Sequence, residues 1–329
     1  MNKAIDAVGI DVAKATLSIC VHYTNDSERV LTIRNTDTDI NTKLLPLLDN
    51  CESKIVMEST GYYHWLVALL LSKEGYNVYV VNPILASQYT TKNIRKVKSD
   101  PADASGLARM ARVADNLPKP FKSNENDLEM RKKLGLVASL TKQIQALKAS
   151  VNSIKEANEI IGIRNSETII ELEDNIKSLV KVKDKLEKEC INTSKQTNEK
   201  EMKLLTSIPG ISEFVATSSL HWFDRNNGNA KSWIAYCGCD ISVKESGTWR
   251  GKCKLTKRGN AYLRARLFGS AWGAYMHDPN FKKYYDKLRK DNRSHIESLL
   301  IIMRKLIRIM YQVLETGQPY DAKKCFLSE

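Results

Sequence analysis

Apolar and polar positions alternate at the start of the chain. Val8, Ile10 and Val12 are interleaved with small or polar residues, a short polar stretch follows, and Leu17, Ile19 and Val21 resume the alternation, predicting a β-hairpin. The same reading gives a third strand at 29–34, a helix at 39–48, a strand at 54–58 and a helix at 62–74 that Gly75 closes. A strand at 77–81 stops before Pro83, and helices follow. From 124 to 202 the pattern changes: Leu140, Ile144, Leu147, Val151 and Ile154 keep a heptad spacing, and Ile169, Leu172, Ile176, Leu179 and Leu186 repeat it more loosely after a turn near Gly162. Two long polar helices with one apolar stripe each are unstable alone, which predicts pairing with each other or with another subunit. Beyond 203, LLTSIPGISEFVATSSLHWF predicts a helical hairpin around Pro209-Gly210, whose second helix could offer backbone N–H groups to a phosphate. A helix ending at Gly238, a loop over 241–260, a helix at 261–275 and two more basic helices, one at 294–314, complete the chain.

Three antiparallel strands followed by an αβαβα succession form the ribonuclease-H-like topology of RuvC-type enzymes, whose active site gathers acidic residues at a sheet edge. The expected fold is therefore α/β plus α. It comprises a RuvC-like domain at 1–123, a helical coiled-coil dimerisation region at 124–202 and a mostly α domain at 203–329.

Composition changes one part of this picture. Hydrophobic content of 42% and charged content of 27% are ordinary for a folded protein, but the net charge of +13 is not. Between Arg250 and Arg308 sixteen Lys and Arg face four Asp and Glu, so nearly all of the excess lies in one stretch and points to a polyanionic partner. The N-terminus has no apolar signal core, and the run at 299–303 is broken by Arg304 and Lys305, far short of a membrane span. Seven irregularly spaced cysteines fit reduced thiols in a cytoplasmic protein; Cys237, Cys239 and Cys253 lack a fourth ligand at zinc-ribbon spacing.

Four carboxylates carry the candidate chemistry. Asp11 lies within the first strand, Glu58 ends the run KIVMEST, and Asp100 and Asp103 stand three apart in KSDPADASGLARMARV, on one helical face. Acidic residues inside or ending apolar strands are costly unless something binds them, and a crowded set of oxygens suits Mg²⁺, two of which can activate an attacking oxygen and stabilise a leaving one. Asp100 before Pro101 also reads as a helix N-cap, with Asp103 near the positive end of the helix dipole. Both roles are compatible.

Ser246 sits in ESGTWRGKCKLTKRG, followed by Arg250, Lys252, Lys254, Lys257 and Arg258, with Arg264 further on; together these form the candidate nucleic-acid surface. A serine is a poor nucleophile without a proton acceptor and cations near the phosphate it attacks. The cations are present in sequence and a histidine base is not; Ser-Gly is also an ordinary turn, and Ser242 is a second candidate in the same stretch.

These residues together resemble the insertion-sequence one-ten transposases, relatives of the Piv DNA invertase described as bridge-RNA-guided recombinases. The resemblance spans nearly the whole chain. GIDVAK, MESTGYYHW, VKSDPADA, IPGI, AYCG, ESG and KRGNAYLR carry it, with Cys239, Asp240 and Ile241 where Gly-Leu and Pro are commoner and Ser212 in place of a frequent glycine. The resemblance implies a DEDD set (Asp11, Glu58, Asp100, Asp103) holding Mg²⁺ and a C-terminal transposase domain at 203–329, with Ser246 as the catalytic serine. It further implies a covalent phosphoserine link in a site shared by two subunits, double-stranded DNA and a noncoding guide RNA as partners, and a homodimer or tetramer. Rival readings are a hydrolytic Holliday-junction resolvase, an actin-like kinase, for which further glycine-rich phosphate loops are missing, and a non-catalytic nucleic-acid scaffold.

Overall fold

The computed structural model describes residues 4–48, 52–59, 61–90, 100–115, 117–223, 228–242, 245–246, 249–250 and 254–326; the side chains at 84, 90, 245, 246, 249, 250 and 254 lie outside that description. The chain divides into two compact units, 1–128 and 129–329.

The first unit is built on five strands. β1 (Ile5–Val12), β2 (Thr16–Tyr23) and β3 (Glu28–Arg34) form an antiparallel meander, while β4 (Lys54–Glu58) and β5 (Val78–Val81) run parallel to β1, giving the order β3-β2-β1-β4-β5. This is the mixed ribonuclease-H-like sheet that the strand order predicts. Strand periodicity sorts its side chains onto two faces. On one, Val8, Ile10, Val12, Leu17, Ile19 and Val21 pack under the helical run after β3 and under α2 (Trp65–Lys73). On the other, Ala7, Val56 and Cys20 meet α3 (Pro83–Thr90) and α4 (Asp100–Val113).

The helix expected at 39–48 is a composite. α1 (Asp37–Asp39) passes into a π turn over Ile40–Leu44 and a 3-10 turn over Leu45–Leu48. Pro46 lies in this run, has no N–H to donate and crowds the preceding turn, which accounts for the irregular helix. Buried Asp39 fastens its start, accepting from Arg34 Nη2 at 2.8 Å and Lys43 Nζ at 2.9 Å, and these cations hold its carboxyl well below the usual range. The helix expected from 62 begins at Trp65.

In the second unit α5 (Glu125–Ile160, entering from the first unit) and α6 (Glu167–Thr197) turn at Gly162, whose φ of +69° suits glycine. Ile144 and Val151 of the expected seam are buried against Ile169 and Ile176, whereas Leu147 and Ile154 are exposed. The seam is thus half closed within one chain. α7 (Glu199–Thr206) and α8 (Glu213–Trp222) form the expected hairpin. Its phosphate-holding role is weakened: Ser212 caps α8 by accepting from Val215 N, Glu213 places a carboxylate in the first turn, and Phe214, Val215 and Ala216 are buried. α9 (Ala230–Tyr236), α10 (Ala261–His277), α11 (Pro279–Lys290) and α12 (His295–Thr316) enclose the main core with them, and a short α13 (Ala322–Phe326) follows.

The stretch read as a loop is a ribbon. β6 (Ile241–Ser242) pairs with β9 (Lys254–Leu255), and β7 (Glu245–Ser246) pairs with β8 (Trp249–Arg250), both antiparallel.

Candidate active site

Asp11 is the penultimate residue of β1 and Glu58 the last of β4, neighbouring parallel strands, so both acids emerge at the same sheet end. Asp11 alternates with the core residues Ile10 and Val12 and therefore points to the α4 face. Asp100 is the first described residue of α4, which carries Asp103 one turn on.

Electrostatics registers their convergence. Burial first, then Asp100, Asp103 and Glu58, push the Asp11 carboxyl from 3.8 up to about 6, against a backbone hydrogen bond at Val12 that lowers it. Like charges close enough to act on one carboxyl are what a cation would relieve. No three of these acids bring their oxygens all within 4.8 Å of one another. The set is gathered but open, and its hard oxygen donors fit divalent metal ions.

The residue that makes this approach possible was not singled out from the sequence. Gly9, in the middle of β1, lies directly beneath α4: a Cβ there would overlap the Ala104 carbonyl oxygen and the Ala108 amide nitrogen. Glycine inside a strand pattern is the available signal for such close backbone contact. At the other end of α4, Arg112 holds Asp6 and Asp26, each at 2.8 Å, fixing the helix along the sheet. Gly9→Ala is expected to destabilise the first unit by about 1–3 kcal/mol, as overpacking does, and to reduce activity by lifting α4 with its two acids away from Asp11. Urea denaturation alongside an activity assay checks it; unchanged stability would show that α4 does not rest on Gly9.

The candidate serine lies in the second unit. The backbone of Ser246 is the last position of β7, and its partner in register is Trp249. Its side chain, with those of Arg250 and Lys254, lies outside the described residues, as does Lys252 entirely. Lys257 and Arg258 are exposed beside the ribbon, whereas Arg264 donates to the Cys237 carbonyl at 2.8 Å and so braces the ribbon's base.

That base is closely fastened, which gives AYCG and KRGN a structural reason. Lys257 N donates to Gly238 O at 3.0 Å, Asn260 N to Tyr236 O at 2.8 Å and Thr256 N to Asp240 O at 2.8 Å. Gly238 has φ +62°, and a Cβ on Gly259 would overlap the Tyr236 carbonyl oxygen. Asn260 also caps α10 by accepting from Leu263 N. Cys237 and Cys239 are buried with free thiols in this base, and Cys253 lies outside the described residues. No helix among the described residues is long and apolar enough to cross a membrane.

Comparison with known proteins agrees with this layout. The chain is 25% identical to the pilin gene-inverting protein of Moraxella lacunata and 26% identical to that of Moraxella bovis, in each case over 96% of this chain and 98% of the relative. A Thermus thermophilus RuvC structure is 16% identical, covers 35% of this chain and 98% of its own length, and has a TM-score of 0.27. A transposase profile carrying the DEDD and IS110 designations matches residues 8–155, and a profile described as Transposase IS116/IS110/IS902 family matches residues 202–286. The first match takes in all four acids and the second takes in Ser246 with the basic stretch behind it, so the chain belongs to the IS110 family of transposases, DNA-processing enzymes.

Proposed function

We propose that the chain is a recombinase that cuts and rejoins double-stranded DNA through a serine-linked intermediate, with Mg²⁺ held by Asp11, Glu58, Asp100 and Asp103. The observation that carries this reading is the placement of Asp11 and Glu58 at one sheet end with Asp100 and Asp103 on the helix across it, where burial first and then the three acidic neighbours raise the Asp11 carboxyl. Bound there, the cations would help activate the attacking oxygen and stabilise the departing one.

The residues of the chain supply the rest. Ser246 Oγ forms a bond to a backbone phosphorus as one P–O bond to deoxyribose breaks, and the serine proton ends on the released hydroxyl. A hydroxyl of the exchanging strand then attacks the phosphoserine link and restores the serine, so bonds are conserved and no water is consumed. Such an exchange is what gene inversion, the activity named for the Moraxella relatives, requires. The carboxylates and the serine come together from two subunits of a homodimer or tetramer, for which the exposed Leu147 and Ile154 on α5 provide apolar contact. Arg250, Lys252, Lys254, Lys257 and Arg258 neutralise phosphates, and a noncoding RNA selects sequence by base pairing, in the cytoplasm.

Purified protein with its copurifying RNA, incubated with DNA carrying element ends and a target in Mg²⁺, is expected to yield joined products, and ribonuclease treatment is expected to remove them. Nicked DNA without joined strands would instead favour a hydrolytic resolvase. If roughly six to ten phosphates are contacted, DNA affinity should fall about 10³–10⁵-fold between roughly 50 and 200 mM salt.

A further inference from the structure

Beside the acidic quartet, on the same sheet face, lies a second group of donors of different chemistry. Cys20 and His22 alternate along β2 with core-facing Ile19 and Val21, and Glu28 stands opposite His22 in the β2–β3 register. One ligand atom from each of the three lies within 4.8 Å of the others. Cys20 Sγ is 3.7 Å from Glu28 Oε2, and His22 Nε2 is 3.0 Å from Glu28 Oε1. Ser105, on α4, places its hydroxyl 3.4 Å from both Cys20 Sγ and Glu28 Oε2.

We propose that Cys20, His22 and Glu28 bind a zinc-like divalent cation beneath α4, with Ser105 Oγ or a water in the fourth position. Tetrahedral zinc with bonds of about 2.0–2.3 Å separates its ligands by roughly 3.3–3.7 Å; the two oxygens of Glu28 reach Cys20 Sγ at 3.7 Å and His22 Nε2 at 3.0 Å, so a small adjustment of one carboxylate would meet that geometry. Thiolate and imidazole select a borderline-soft ion over the hard cation suited to four carboxylates.

A second observation points to a ligand here. His22 is only 5% exposed, yet neither ring nitrogen makes a hydrogen bond among the described residues: Nε2 faces Glu28 outside hydrogen-bond geometry, and Nδ1 has no partner among them. Burying an imidazole in that state is costly, and coordination through Nε2 answers part of the cost. Cys20 is fully buried, which pushes its thiol up, so binding must displace its proton and weakens as pH falls. Glu28, 41% exposed at its side chain, leaves a path from solvent. The cation would tie the β2–β3 hairpin to the helix that carries Asp100 and Asp103, a structural role independent of the recombination chemistry.

The test uses the full-length protein, stripped with chelator and titrated with cobalt(II) and then zinc(II) chloride. Wild type is expected to develop the near-ultraviolet thiolate-to-cobalt band and to lose it when zinc displaces cobalt. Cys237 and Cys239 are other buried thiols, so variants make the assignment: Cys20→Ser should abolish the band and Asp11→Asn should keep it. Glu28→Gln, the conservative change at the partly exposed member of the group, should weaken zinc binding by at least the roughly tenfold that loss of even a supporting partner costs, and decides the matter if Cys20→Ser fails to fold. Absence of the band in folded wild type, or wild-type binding by Cys20→Ser or Glu28→Gln, would overturn the proposal.

Discussion

Asp11→Asn is expected to abolish strand exchange and, at about pH 7, to raise the melting temperature of the metal-free protein. The loss of rate should be on the order of 10²–10³ or more, as when one preorganised electrostatic group is removed from an active site. The gain in stability follows from linkage. The folded Asp11 carboxyl titrates at about 6 against 3.8 without its surroundings, so the folded chain holds a proton that the unfolded chain releases between those values. Stability therefore falls as pH rises through that window, and the penalty is fully present above it. Asparagine carries no charge and escapes it. Melting curves of wild type and variant should coincide below about pH 4 and separate above about pH 6, with the variant higher. Divalent cation at about 100 times its Kd should then add about 2.7 kcal/mol to wild type and much less to the variant. A variant less stable than wild type at neutral pH would contradict the repulsive cluster.

The other large effect is at Ser246. If its hydroxyl carries the DNA strand, digesting the DNA after a reaction should leave a nucleotide on the protein, and mass spectrometry should place it on the peptide holding Ser246. Ser246→Ala should remove both the adduct and the joined products while leaving DNA retention and folding unchanged, since the residue lies on a two-residue ladder whose anchoring is at its base. Ser242→Ala, on the neighbouring ladder, should retain the adduct. Normal recombination by Ser246→Ala would refute the serine mechanism and leave the carboxylates to work by hydrolysis.

The sheet was readable because its signals are local. Alternation fixed β1 and β2, and the apolar run ending at Glu58 gave β4 its bounds residue for residue. Where tertiary contact decides, sequence reading fell short. The ribbon looked like a loop because two-residue ladders are too short to show a period. Half of the α5 seam faces α6 and half does not, and a heptad count alone does not tell which half. The four acids stood out as residue types, but Gly9, which lets two of them approach the third, is legible only once α4 lies across β1. The Cys20 group needed the β2–β3 register, since Cys20 and Glu28 lie on different strands and only the pairing of His22 with Glu28 brings the three together.

The ribbon's fastening has a mechanical outcome. The β6–β9 ladder takes its direction from the clamp at Tyr236, Gly238 and Gly259, so a small tilt there would turn the ladder as a whole. Gly259→Ala should therefore loosen the clamp and cost stability, since its Cβ would overlap the Tyr236 carbonyl oxygen and its positive φ favours glycine; if Ser246 is the nucleophile, strand joining should fall with it.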